Sequence, residues 1–443
     1  MWLLVLLVLS IIFIVLATTT LKLHPFLALL MTAFGFGILS GMPLPEVVKS
    51  VNEGFGGTIG YIGIVILAGS IIGTFLEKSG GAYRLATSTL RLTGEKNVPL
   101  AMGCVGYVVS IPVFCDSGFV LLSSLMKALA RKAGITLAAS AIALSLGLYA
   151  THTMVPPTPG PVAAAGIIGA DLGLTIMWGL VVSLFALAAG WLFATQYASR
   201  THIPADSGAS AAEPSLADSP SVTKSLLPIV LPIMLIVLRS IAELPDKPLG
   251  TGPAIELLGF LGQPVVALLI GVALAVLLPK KLDRAMLSSG GWVGEAIVAA
   301  AIIIIITGAG GAFGKVLQNS GIAKIIGEHL TASPLGILLP FVIAAGIKTA
   351  QGSSTVAIIT TASLVAPLLA SLGLDSDTAK ALVVVAIGAG AMVVSHANDS
   401  YFWVVTQFSN MDVKTGYKLQ TLGTLVQGVA AAITVYVISL IVL

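Results

Sequence analysis

VPLAMGCVGYVVSIPVFCDSGFVLLSSLM, residues 98–126, is apolar enough to enter a membrane and too short to cross it twice. Two helical crossings of about 20 residues each, with a turn between them, need roughly 40 residues. Lys78, Arg84, Arg91 and Lys96 precede the stretch and Lys127, Arg131 and Lys132 follow it; basic flanks mark the cytoplasmic side of a membrane segment. Both ends then face one compartment, which predicts a re-entrant hairpin. Its interruption, Pro112-Val113-Phe114-Cys115-Asp116-Ser117-Gly118, supplies a proline to stop a helix, a glycine to turn, and polar groups that must face water or protein rather than lipid.

A second apolar stretch, about 334–372, is likewise interrupted, with its tip at Gln351-Gly352-Ser353-Ser354-Thr355. Ten other segments fit single spans of about 20 residues, near 2–21, 25–42, 58–76, 135–155, 173–196, 226–242, 263–279, 293–313, 378–398 and 421–443. The first lacks a basic leader and runs straight into another span, so it is read as a retained helix rather than a secretory signal. Lys22, the segment from Arg200 to Lys224, Lys280, Lys281 and Arg284, and Lys414 with Lys418 all fall on the inner side when crossings are counted. The second hairpin's ends and both termini are then expected outside, opposite to the first hairpin's ends.

The two halves share a pattern. Gly73, Leu76, Ser79, Gly80 and Ala82 are matched in spacing by Gly314, Leu317, Ser320, Gly321 and Ala323, and Thr151-His152 is answered by Ser395-His396. Duplicated halves with interrupted apolar segments at corresponding places are the sequence signature of a secondary transporter, whose site forms where broken helices meet at mid-membrane. The expected fold is therefore an all-α polytopic membrane protein, an inverted repeat of about five transmembrane helices plus one re-entrant hairpin per half, with broken helices. The first repeat covers 1–197, with helices to about 76 mainly scaffold, the hairpin near 98–126 and a broken helix near 135–161. A flexible cytoplasmic linker, rich in Ala, Ser, Pro and Asp, covers 198–225. The second repeat covers 226–443, with its hairpin near 334–372 and its broken helix near 378–402.

Composition agrees. Hydrophobic residues make up 57% and charged residues 9% of the 443 positions, with a mean hydropathy of +1.04, against roughly 25% charged in soluble domains. The net charge of +3 is small and its basic residues sit in loops, which argues for membrane orientation rather than nucleic-acid binding. Cys104 and Cys115 lack metal-ligand spacing and read as packed thiols. Neither H-E-x-x-H nor G-x-S-x-G occurs, which argues against an intramembrane enzyme. No metal or cofactor is expected.

Ionisable groups inside the hydrocarbon cost about 2.5–3.5 kcal/mol on insertion scales, so each invites a functional reading. Asp116, at the first tip beside Ser117, is a candidate proton carrier, since a carboxylate in a low-dielectric pocket can load and release a proton near neutral pH; it also suits the start of a helix. His152 and His396 sit where helices break, before Val155 to Pro161 and before Ala397-Asn398-Asp399-Ser400, and are candidates for substrate binding and proton coupling. Asn398 and Asp399 fit a coupling-ion site or a partner that fixes the His396 tautomer, and equally a helix N-cap. Ser353, Ser354 and Thr355 offer hydroxyls and N–H groups at a helix N-terminus, an arrangement that receives a carboxylate. Lys348 is either a countercharge to that carboxylate or a side chain snorkelling to the outer surface. Thr151 and Thr153 add hydroxyls at the first break.

At these residues the chain resembles the gluconate permease family of proton-coupled symporters. The resemblance rests on Ile111-Pro112-Val113-Phe114 leading into an acidic tip, on Thr151-His152-Thr153, on Gly352-Ser353-Ser354-Thr355-Val356-Ala357 and on Ser395-His396-Ala397-Asn398-Asp399-Ser400. It implies proton-coupled uptake of gluconate or a related sugar acid or short hydroxy-carboxylate, such as D-glycerate, across a bacterial inner membrane. It also implies similarity to citrate and dicarboxylate transporters, homodimers in which a mobile transport domain holding two hairpins slides as an elevator on a fixed scaffold. Sodium in place of the proton is the alternative, because hydroxyl, amide and carbonyl oxygens at Ser354, Thr355 and Asn398 suit a hard cation; an enzyme or a passive channel stands further off.

Overall fold

The computed structural model describes residues 2–93, 97–204, 219–243, 247–322, 336–396 and 399–443. Asn398, Ala323, most of the expected linker and the start of the second hairpin lie outside the described residues. Every regular element among the described residues is helical. In chain order the first half of the chain holds α1 (Trp2–Thr19), α2 (Pro25–Leu39), α3 (Leu44–Lys78), α4 (Gly81–Thr93), α5 (Val98–Val109), α6 (Cys115–Lys132), α7 (Leu137–Met154), α8 (Pro159–Ile168) and α9 (Leu172–Gln196). The second holds α10 (Val222–Ala242), α11 (Pro253–Leu261), α12 (Pro264–Val276), α13 (Trp292–Asn319), α14 (Leu338–Gln351), α15 (Ser354–Val365), α16 (Asp377–Gly390), α17 (Ser400–Phe408) and the long helical run α18 (Val413–Val442).

Most ends fall where local chemistry stops or starts a helix. Proline opens α2, α8, α11 and α12, and Asp171, Ser221, Ser376 and Asp412 cap the helices that follow them by accepting backbone N–H groups. Three expectations are corrected. α3 runs for 35 residues rather than 58–76, bent by 41° between Gly60 and Gly63; its first turns, with exposed Lys49 and Glu53, are too polar for a hydropathy window yet form good helix. α4 was expected as loop; Arg84 donates to the Pro220 carbonyl at 3.1 Å and ties it to the start of α10. The segment expected at 378–398 leaves the helix at Gly390, where a side chain would strike the Phe341 carbonyl and Ala344 of α14; Val394, at φ 55°, then turns the chain.

Among the described residues, five helical runs are long and apolar enough to cross a membrane, or seven if each of two bent pairs is one span. α2 and α16 are shorter than that standard, with 15 and 14 residues. Large apolar side chains such as Val298 and Ile302 on α13 and Leu440 and Ile441 on α18 face outward, as lipid-facing surfaces do. The protein is a multi-pass membrane protein.

Small residues set the packing. A side chain on Gly54 would overlap Gly311 and Ala312, one on Gly308 would meet Phe55 at 2.7 Å, and Lys78 pairs with Glu295, so α3 and α13 cross in antiparallel sense. α9 and α18 also run antiparallel: Gly190 lies against Gln427, and Gly423 against Phe193. α5 and α7 touch backbone to backbone at Gly103, Gly106 and Gly147. On α3, Gly69 faces the Pro157 carbonyl and Gly73 the Pro112 carbonyl. The matching glycines of α13, Gly310 and Gly314, face Ser363 on α15 instead.

Candidate functional site

Four interruptions converge. α5 stops at Val109, Ser110 Oγ donates to the Val113 carbonyl at 3.2 Å, and α6 restarts at Cys115 with Asp116 in its first turn. A carboxylate there meets unpaired N–H groups and the positive end of the helix dipole. α14 stops at Gln351, Gly352 turns at φ 90°, and Ser353 Oγ accepts the Val356 N–H at 3.3 Å to cap α15. α7 ends at Met154, Thr158 Oγ1 donates to the Val155 carbonyl at 2.5 Å, and α8 begins at Pro159. Between α16 and α17, α18 holds the chain: the Ser395 N–H donates to Thr424 Oγ1 at 3.0 Å, and Thr421 Oγ1 donates to the Ser395 carbonyl at 2.6 Å.

One buried ion pair fastens these segments together. Lys348 is 0% exposed, and its Nζ donates to the Gly352 carbonyl and, at 2.6 Å, to Asp399 Oδ2. This overturns the snorkelling reading: the ammonium turns inward across the tip. Asp399 Oδ2 also accepts from Ser395 Oγ at 2.5 Å, while Oδ1 accepts the Tyr401 N–H at 3.1 Å. Asp399 is thus an N-cap and an ion-pair partner at once, and its carboxylate is not bonded to the His396 ring. The Nε2 of His396 lies instead 2.8 Å from the Thr349 carbonyl of α14, donating to it.

The first tip reaches the same place. Asp116 lies within electrostatic reach of both Asp399 and Lys348, and Phe119, one turn on, meets Tyr401 edge to face at 6.3 Å. His152 is buried in the last turn of α7, its ring stacked on Tyr149 at 6.4 Å and 6.1 Å from Phe114. Thr151 and Thr153 point their hydroxyls at the Tyr107 and Tyr149 carbonyls, at 3.0 and 3.2 Å, so both donors are already used in holding α7. Ser354 is buried, Thr355 half-buried and Ser353 exposed, and Ser117 follows Asp116 in the first turn of α6.

Three buried polar atoms here have no hydrogen-bond partner: Asp116 Oδ1, Tyr149 Oη and His152 Nδ1. Such atoms are uncommon in native interiors because each forfeits its hydration. All three lie in the same neighbourhood, within electrostatic reach of Asp399. Sequence reasoning missed Tyr149 and the Lys348–Asp399 pair. Tyr149 lies three residues before His152, on the same helix face. A separate cleft of about 420 Å³, lined by Glu53, Thr58, Gly166, Lys315 and Gln318, lies against α3 well away from the tips.

Known proteins match the chain along its whole length. Residues 2–441 match the family described as GntP family permease. A gluconate permease of Pseudomonas aeruginosa is 35% identical over 98% of this chain and 96% of its own, and a high-affinity gluconate transporter of Escherichia coli strain K12 is 33% identical over 93% of each. Among solved structures, the YdaH transporter of Alcanivorax borkumensis superposes with a TM-score of 0.69 at 14% identity, over 94% of this chain and 98% of that one; at that identity the likeness speaks for the fold.

Proposed function

Because the chain belongs to the GntP family of permeases, and is on that ground a transporter rather than an enzyme, we propose that it carries gluconate or a related sugar acid or short hydroxy-carboxylate across the bacterial inner membrane together with protons. The observation that carries the coupling is a charge count. One buried cation, Lys348, stands among two carboxylates, Asp399 and Asp116. Asp116 and Asp399 lie within electrostatic reach of each other and repel when both are ionised. A substrate anion entering this cluster meets net negative charge, and a proton on Asp116 removes it. The substrate carboxylate is received by Lys348 and by the N–H groups and hydroxyls of Ser353, Ser354 and Thr355 at the start of α15. Its hydroxyls are received by His152, His396 and Asn398.

The two halves act as an inverted repeat, supported by the antiparallel course of the matching pairs α3 with α13 and α9 with α18. α5 with α6 and α14 with α15 are the re-entrant hairpins of a mobile domain, which moves as an elevator against α1 to α3 and α10 to α13. Both termini lie outside, and a second copy completes a homodimer through the scaffold.

Asp116→Asn tests the assignment. With the cluster already neutral, the variant in proteoliposomes exchanges gluconate across the membrane but no longer accumulates it on a pH gradient, and gluconate entry no longer alkalinises the medium. Undiminished alkalinisation would remove Asp116 from the coupling, and uptake that requires sodium at fixed pH would replace the proton altogether.

A further inference from the structure

The described residues include three tyrosines that are at most 9% exposed outside α4: Tyr107, Tyr149 and Tyr401. Two are satisfied. The Tyr107 hydroxyl lies 2.9 Å from Ser183 Oγ and donates to the Leu180 carbonyl at 3.2 Å, and the Tyr401 hydroxyl donates to the Ser145 carbonyl at 2.9 Å. Tyr149 is 1% exposed and its hydroxyl has no partner. Its ring has little freedom to find one, because it is stacked on His152 with an interplanar angle of 11° and packed on Tyr401 with centroids 5.0 Å apart. The hydroxyl is therefore aimed and uncompensated.

Its surroundings define what it awaits. The Ser354 hydroxyl lies beside it without completing a hydrogen bond, and Cys115, Asp116 and Asp399 are within electrostatic reach. Both hairpin tips and the α16–α17 break thus surround one phenol. Two carboxylates in its vicinity disfavour a substrate carboxylate at this spot, and Lys348 offers that group a better place. A neutral hydroxyl fits: it can both donate to and accept from a phenol and a serine.

We propose that Tyr149 is the specificity residue that selects hydroxylated acids, its phenol oxygen hydrogen-bonding one hydroxyl of the bound substrate. This rests on the reading of the site as a hydroxy-carboxylate site given above. A site built to bond a substrate hydroxyl rejects the analogue that lacks it, because its own polar groups are then left unpaired.

Tyr149→Phe removes the oxygen and keeps the ring stacking. Gluconate and its single-position deoxy analogues are titrated into the purified wild-type protein and the variant. The wild type binds one deoxy analogue about ten- to a hundredfold more weakly than gluconate, and the variant binds gluconate more weakly by a similar factor while no longer distinguishing that analogue from gluconate, the signature of two groups in direct contact. Without ligand the variant melts no lower than the wild type, since the deleted hydroxyl made no internal bond. Unchanged gluconate affinity in the variant, equal losses for every analogue in both proteins, or a lower melting temperature of the free variant would each overturn the proposal. Failure of the wild type to bind any hydroxy-carboxylate would instead overturn the underlying reading of the site, and the role of Tyr149 with it.

Discussion

Lys348→Met yields a protein that no longer binds or carries gluconate, with uptake at the level of empty vesicles, and that is less stable by about 3–5 kcal/mol, the usual cost of removing one partner of a buried ion pair. Methionine nearly fills the lysine's volume, so the loss is one of charge rather than of packing. Asp399 keeps Ser395 Oγ and the Tyr401 N–H but loses its counter-ion, and Asp116 then faces a second uncompensated carboxylate. The tip loosens too, because the bond from Nζ to the Gly352 carbonyl closes the turn between α14 and α15. The double variant Lys348→Met with Asp399→Asn separates the two effects. Asparagine still accepts the Tyr401 N–H as an N-cap, so most of the stability returns while transport stays absent. Thermal unfolding in detergent and uptake of labelled gluconate measure the two quantities, and wild-type uptake by the single variant would end the case for Lys348 as the substrate's counter-ion.

Gly147→Val is the second large effect and falls on the fold. A side chain at 147 would occupy the backbone of Gly103, and one at Gly106 would stand 2.7 Å from the Leu144 carbonyl and 2.8 Å from the Leu148 N–H. Backbone cannot rotate out of the way as a side chain does, so α5 and α7 must separate, and α7 carries Tyr149 and His152. A cost of about 3 kcal/mol or more is expected, at the upper end of overpacking, visible as loss of a monodisperse peak after solubilisation. Gly259→Ala, where a Cβ meets nothing within 4 Å, leaves the peak unchanged. A normal elution profile for Gly147→Val would show that the two helices are not held at backbone contact.

The breaks were legible because single residues enforce them. Pro112, the prolines from 156 to 161 and Gly352 at φ 90° admit few alternatives in an apolar chain, so both tips and the end of α7 lie close to where they were expected. The end of α16 at Gly390 was hidden, because Ala391, Met392, Val393 and Val394 beyond it are apolar and carry no helix-stopping residue. The polar first turns of α3 fell below a hydropathy window for the converse reason, being helical without being apolar. At the site, the types of Asp116, His152, Lys348 and Asp399 marked them as costly to bury, but type says nothing of partner. Lys348 and Asp399 stand 51 residues apart, and only the packing of α14 against the α16–α17 break brings them together. Tyr149 escaped notice for a different reason: a tyrosine in an apolar helix is an ordinary core residue, and its missing hydrogen bond exists only in three dimensions.

The glycines on the two long crossing helices act as a ruler. Gly73 and Gly314 hold matching places in the sequence pattern shared by the two halves, yet one touches the tip at Pro112 while the other touches Ser363, ten residues beyond the cap at Ser353. Ten residues of helix measure about 15 Å. In the proposed elevator movement, a domain that exchanged these registers would bring the tip at Ser353 to Gly314 and set an arm of α6 against Gly73, a stroke of that length. At either limit the moving tip would rest on a glycine of the long helix, and the distance between the two stops would be fixed by the length of the hairpin arm.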